Sequence, residues 1–256
     1  MARPSAASRR HTEILDILGT EICSGKLAPS SALLTDDLET RFDVSRTLVR
    51  EVLRVLSSLG LIASRRKTGT VVLPESEWDT FSPQVIRWKL SSPRRLTQLK
   101  ELSELRLAVE PLAAQLAAER AAEGERRGIV ELSAAMWAAG KTGQTREFVE
   151  LDVAFHRAVL AASGNQMFGQ LYQVTEEVLT GRVTYGLMPQ LPDHAALEWH
   201  MDVASAIQRG DGQVARTAME RILAQSVDEM AHLWGGPMAG NPSEPAASPG
   251  PAAAQA

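Results

Sequence analysis

The stretch from Thr35 to Leu73 leaves the chain few options. Two runs of helical periodicity meet across only Phe42-Asp43-Val44-Ser45, and the second ends at Gly60 before two short runs of strand character. Thr35 is the expected N-cap of the first run, which reaches Arg41. Ser45 is expected to cap the second, whose apolar face is Leu48, Val49, Val52, Leu53 and Leu56. Leu61-Ile62-Ala63-Ser64 and Thr70-Val71-Val72-Leu73 flank a basic turn, Arg65-Arg66-Lys67-Thr68-Gly69, and Pro74 closes the unit. Upstream, Ile14, Leu15, Leu18 and Ile22 recur at helical spacing between Arg9 and Ser24, and Gly25 stops that helix. Three helices followed by a hairpin form the pattern of a winged helix-turn-helix.

Such a unit meets DNA with the N-terminal end of its second paired helix. That end presents Ser45, Arg46, Thr47 and Arg50. Arginine can grip guanine bidentately, and threonine can touch a thymine methyl or a phosphate. Arg65, Arg66, Lys67 and Gly69 in the wing suit phosphates or a minor groove. Charge points the same way. Residues 1–74 carry 11 Lys/Arg against 8 Asp/Glu, and the rest carry 16 against 23, so a chain of net charge −4 has a basic end. Each feature has a plainer reading: Arg46 and Arg50 as a solvated helix face, the basic turn as an ordinary surface turn. Their occurrence together and in order favours DNA.

The remaining chain is expected to be mainly α. Residues 1–8 read as a loose arm and 9–74 as the DNA-binding domain. Residues 75–95 read as a linker with a short helix, docked by Trp78 and Trp88. From Leu96 the pattern is helical, with Pro111 kinking the first long helix. Further helices are expected at 127–139, 145–162, 166–186, 193–209 and 212–233, giving an all-α domain over 96–234. Residues 235–256, rich in Gly, Pro, Ala and Ser, are expected to be disordered. A single cysteine, Cys23, excludes an internal disulfide and a Cys-based zinc site. No apolar run reaches membrane-spanning length and the N-terminus lacks a signal core, so a cytoplasmic protein with no membrane partner is expected.

Polar residues on faces that should be buried mark a second site. Asp152 and His156 lie one turn apart on the edge of the face formed by Phe148, Leu151, Phe155 and Val159. His200 lies within the face of Leu197, Met201, Ala204 and Ile207. A carboxylate and two imidazoles can hold Zn, Ni or Mn, and three ligands leave positions open. The competing reading is hydrogen-bonded core histidines. Arg106 sits on the most apolar helix, where it either clamps a carboxylate ligand or pairs with Glu110 or Glu101.

With these residues in view, residues 24–72 resemble the DNA-binding domain of the GntR family. Val44-Ser45-Arg46-Thr47-Leu48-Val49-Arg50-Glu51 is the most specific match, and Gly60-Leu61 and Gly69-Thr70 fall where the family has them. The resemblance implies that Arg46, Thr47 and Arg50 contact DNA, with Lys67 and Gly69 at the wing. Lys67 replaces the usual first wing glycine, and Asp36-Asp37 puts acid where some members place a DNA-contacting arginine. The C-terminal part resembles the all-α FCD ligand-binding domain of the FadR-like subgroup. The matching pieces are Glu104-Leu105-Arg106 to Glu110-Pro111, Asp152-x-x-x-His156, Ser163-Gly164-Asn165 and His200.

That subgroup commonly binds a divalent metal with one Asp and three His. The fourth position falls at Ile222, which leaves two alternatives: a three-ligand site (Asp152, His156, His200) or a metal-free pocket. The resemblance also implies that Arg106 belongs to the pocket. The stretch from Pro74 to Leu90 resembles that of galactonate-operon repressors and relatives that sense sugar acids. An aldonate carboxylate would then meet Arg106 or a metal, and its hydroxyls Asp152, His156, Asn165 and His200. The expectation is a homodimeric repressor, not an enzyme, released from its operator by a small carboxylate effector. The rivals are a metal-dependent hydrolase or isomerase of a sugar-acid derivative, and a DNA-binding dimer without an effector.

Overall fold

The computed structural model describes residues 6–66, 69–187 and 193–231. The N-terminal unit runs α1 (Ala6–Cys23), β1 (Ala32–Leu33), α2 (Thr35–Phe42), α3 (Arg46–Ser58), β2 (Ile62–Arg65) and β3 (Gly69–Val72). The strands form one antiparallel sheet in the order β1-β3-β2. Ile14, Leu18, Ile22, Val52, Leu56 and Leu61 share its core. The helix-turn-helix bend turns on Asp43, whose φ of 51° ends α2, and Ser45 then caps α3 by accepting from the Leu48 amide at 3.4 Å. Gly60 has φ +75°, and a Cβ there would collide with the Glu77 carbonyl, so the turn into the wing requires glycine.

Three expectations are corrected here. Helix α1 begins at Ala6, inside the expected arm, because Ala6-Ala7-Ser8-Arg9 contains no helix breaker. Thr35 is the first residue of α2, not its cap; Leu34 holds that position with no side-chain bond, and Asp36 and Asp37 offset the positive helix end instead. Strand β1 was not foreseen, since two residues carry no readable alternation. The expected disordered tail, 235–256, lies outside the described residues.

Residues 75–95 contain a short helix, as expected, and that helix is shared by two cores. A single 3-10 turn at Glu75–Glu77 leads to α4 (Pro83–Leu90), with Pro83 in its first turn. Val85 and Trp88 pack into the N-terminal core, while Ile86 and Leu90 pack with Leu99, Leu102, Val174, Val178 and Met230 of the C-terminal part. The Trp88 indole N–H donates to Asp16 Oδ1 at 2.9 Å. The ring lies against Gly19 so closely that a Cβ there would overlap it. Lys89, buried, pairs with Glu75 at 2.8 Å and Glu101 at 3.6 Å, and Arg94 also pairs with Glu75.

The C-terminal domain is all helical: α5 (Arg95–Arg120), α6 (Glu123–Thr142), α7 (Thr145–Ala162), α8 (Gln166–Gln170), α9 (Tyr172–Thr184), α10 (His194–Arg209) and α11 (Gly212–Ala231). Helix α5 continues through Pro111. The helix expected at 127–139 starts earlier because Glu125 accepts from the Ala122 amide at 2.8 Å and satisfies its first turn. The expected helix 166–186 is divided at Leu171. Ile129, Met136, Phe155, Val203, Ile207 and Met219 form the bundle core. No described helix is long and apolar enough to cross a membrane.

Candidate functional site

Two sites emerge. The first is the concave face between α3 and the wing, lined by Thr35, Arg46, Arg50, Arg54, Ser64 and Thr70 among others. Ser45, Arg46, Thr47, Arg50, Arg65, Arg66 and Gly69 are all exposed, while Lys67 lies outside the described residues. Arg50 makes no hydrogen bond or ion pair among the described residues, so its guanidinium is free to reach outward. Arg46 is engaged: its Nη1 lies 2.7 Å from Asp36 Oδ1 and 3.4 Å from Glu39 Oε1. Both Arg46 and Asp36 are exposed, so the pair is worth only ~0–1 kcal/mol and can be exchanged for a phosphate or a base.

The second site lies inside the C-terminal bundle. Helix α7 stacks Asp152 and His156 one turn apart, and α10 brings His200 against them. Asp152 Oδ1 stands 3.3 Å from Nε2 of each imidazole. One donor atom from each residue lies within 4.8 Å of the others, and all three residues are buried. Of the outer nitrogens only that of His200 is hydrogen-bonded; that of His156 lies close to Glu110 without hydrogen-bond geometry. His156 Nδ1 contacts Glu110 Oε2 at 2.6 Å, and His200 Nδ1 lies 2.6 Å from the Ala196 carbonyl oxygen. Both rings thus turn Nε2 toward Asp152, the arrangement that supports metal-ligating histidines.

Asp152 Oδ1 and His200 Nε2 are buried with no hydrogen-bond partner. Orphaned polar atoms converging from two helices are what a cation would satisfy, so the donor set fits one divalent ion. Burial alone would raise the Asp152 carboxyl, but the facing His156 and His200 outweigh it and hold it well below the usual carboxylate range. Burial opposes charge on His156, yet Glu110 and Asp152 raise it to about 9. Glu110 is likewise held low against burial by Arg106 and His156.

The cluster opens into a small cavity of about 50 Å³, below the usual ~300–1,000 Å³ of small-ligand pockets, so a ligand of more than a few atoms enters only as the bundle opens around it. Arg106 lines it, and also donates from Nε to Glu110 Oε1 at 2.6 Å and from Nη2 to Oε2 at 3.3 Å. The ion pair that spacing allowed is therefore present in a residue that also faces the cavity. Ile222 is buried in the cavity wall on α11. Asn165 is not among the lining residues: it caps α8 by accepting from the Met167 amide at 3.0 Å. Sequence reasoning missed Arg182, Gln225, Ser226 and Glu229, which line the wall made by α9 and α11. The spacing of Ile222, Gln225, Ser226 and Glu229 places them on one face of α11, a stripe visible in the sequence.

A winged helix-turn-helix joined through a buried helix to an all-α domain with an internal polar cavity is the build of a DNA-binding regulator. Residues 10–72 match the family model "Bacterial regulatory proteins, gntR family", and residues 101–225 match the FCD domain. The chain is 30% identical over 225 residues to the galactonate operon transcriptional repressor of Escherichia coli, covering 86% of this chain and 96% of that one. It is 28% identical over 204 residues to the HTH-type transcriptional regulator LutR of Bacillus subtilis, covering 77% and 90%. A solved structure of Lar, which controls expression of the Listeria monocytogenes agr system, is similar at TM-score 0.53 and 15% identity, covering 91% and 100%; it speaks for the fold alone. The chain belongs to the GntR family and carries an FCD domain. It is a transcription regulator, not an enzyme, which sets aside the hydrolase rival.

Proposed function

We propose that this regulator is a homodimeric repressor of a sugar-acid catabolic operon, released from its operator by an aldonate such as galactonate. The observation that carries this reading is the pair of orphaned buried atoms, Asp152 Oδ1 and His200 Nε2, opening into a cavity that Arg106 also lines. Asp152, His156 and His200 would hold a Zn, Ni or Mn ion. When bound, the ion supplies a Lewis-acidic anchor for the effector carboxylate. Arg106 adds a positive wall, and Glu110 and the Ala196 carbonyl hold the imidazoles in place. The repressor class and the galactonate link are supported by the E. coli relative. Two copies of α3 would read the half-sites of a short pseudo-palindrome through Arg46, Thr47 and Arg50, with Arg65, Arg66 and Lys67 of the wing on the backbone.

Melting of the purified protein tests the reading. A sugar acid at about 100 times its Kd stabilises by ~2.7 kcal/mol, which for a chain of this size raises Tm by about 5–10 °C. D-Galactonate is expected to give such a shift, and EDTA to remove it. No shift with any sugar acid would overturn the effector assignment.

Signal transfer would run through α4. Leu90 packs on α9 at Gly181, where a Cβ would approach its Cδ1 to 2.9 Å, and the next residue, Arg182, lines the cavity. Two residues before Leu90, Trp88 is seated on Gly19 and Asp16 of α1. These contacts leave no slack, so a displacement of α9 moves α4 and α1 with it. An effector that favours the DNA-incompetent arrangement ~100-fold supplies about 2.7 kcal/mol of coupling. Trp88→Ala is expected to keep operator binding in gel shift while losing most galactonate-induced release. Release at the wild-type effector concentration would show that α4 is not the route.

A further inference from the structure

The cavity wall formed by α9 and α11 carries its own unpaired groups. Arg182 is 3% exposed. Its Nη1 donates to Ser226 Oγ at 2.6 Å and its Nη2 to Glu229 Oε2 at 2.5 Å, yet its Nε is buried without a partner. Gln225 donates from Nε2 to Asp193 Oδ2 and to Glu229 Oε1, each at 3.2 Å, while its Oε1 is buried without a partner. All five of these residues line the cavity. One wall therefore presents an unsatisfied donor and an unsatisfied acceptor. A hydroxyl group is the simplest partner that accepts from the first and donates to the second.

Charge narrows the ligand further. Arg182 is already neutralised by Glu229, and Asp193 adds a second carboxylate beside Gln225. A second anionic group on the ligand would be repelled by Glu229 and by Asp193, which is exposed at the rim of the cavity. We infer that Arg182 and Gln225, braced by Ser226 and Glu229, are the specificity-determining residues of the effector pocket. They read hydroxyls on the chain of a monocarboxylate, and Asp193 and Glu229 exclude a dicarboxylate. The inference rests on the carboxylate-effector reading above and adds which acids the pocket refuses. A site built to hydrogen-bond a hydroxyl rejects analogues lacking it far more strongly than an apolar pocket rejects a size change.

Calorimetric titration with D-galactonate, D-galactarate (the same chain with a second carboxylate) and L-lactate (a carboxylate with one hydroxyl) provides the test. Galactonate is expected to bind at least about 30-fold more tightly than either of the others. Gln225→Leu keeps the bulk and is expected to weaken galactonate by about 10–100-fold while leaving lactate within threefold. Arg182→Lys keeps the charge opposite Glu229 but removes the Nε donor, and gives a second loss of the same kind if Gln225→Leu folds poorly. Binding of none of the acids by the wild type overturns the carboxylate reading and this inference together. Galactonate and galactarate binding alike, or galactonate affinity unchanged in both variants, overturns this inference and leaves the carboxylate reading in place.

Discussion

Arg50→Ala is expected to weaken specific operator binding by at least about 30-fold while leaving the melting temperature within about 1 °C of wild type. The guanidinium stands exposed on α3 and makes no ion pair among the described residues, so its removal costs the fold nothing. A bidentate arginine–guanine contact discriminates by ~1–3 kcal/mol, and the proposed dimer would make it twice, which compounds to about 30-fold at the low end and 10⁴-fold at the high end. Arg46 differs in kind. Its guanidinium is shared with Asp36 and Glu39, so DNA must take it from existing partners, and the net gain is smaller. The acidic start of α2 thus engages Arg46, and on the proposed reading would shift the burden of recognition toward Arg50. Fluorescence anisotropy with operator and scrambled duplexes separates the two. Arg50→Ala binding both duplexes as the wild type does would remove Arg50 from the interface.

What the sequence disclosed follows the range of the interactions involved. Helix α3 was legible because its cap and its apolar stripe are local: Ser45 binds an amide three residues away, and Val49, Val52, Leu53 and Leu56 repeat at helical spacing. Helix α7 was legible to the residue for the same reason, and so was the i,i+4 pair Asp152 and His156. Helix α4 was only half legible. Its Trp88 announced docking, but a helix shared between two cores is defined by Gly19, Asp16 and Gly181, which lie far from it in sequence. The α9–α11 wall was only half legible for a related reason. Arg182 has no striking local pattern, and its meaning arises only when α11 places Ser226 and Glu229 against it. Asn165 shows the opposite error. Its motif was read as pocket chemistry, whereas Gly164, with φ +70°, turns the chain so that Asn165 caps a short helix.

Glu110→Ala is expected to be the most damaging single substitution in the C-terminal domain. The carboxylate is 2% exposed and faces three groups: Arg106 through both its oxygens, the Thr175 hydroxyl at 2.9 Å, and His156 Nδ1 at 2.6 Å. Removing it leaves a buried guanidinium and a buried hydroxyl with no acceptor. Breaking a buried pair in this way costs ~3–5 kcal/mol, because the charge left behind cannot be solvated. At ~2–4 °C per kcal/mol for a chain of this size, Tm falls by about 6–20 °C. Glu110→Gln separates the structural role from the one that would be exerted on the proposed metal site. The amide oxygen can still accept from Arg106, so the fold suffers less. His156, though, loses the anionic partner behind its Nδ1, and the loss of such a partner typically weakens a metal site ~10–100-fold. Paired melting curves and zinc titrations of the two variants therefore give different signatures. A Glu110→Ala protein melting within about 2 °C of wild type would mean that Arg106 finds another acceptor in the cavity. Its salt bridge would then be incidental, and Arg106 would be as free to meet an effector carboxylate as the cavity wall requires.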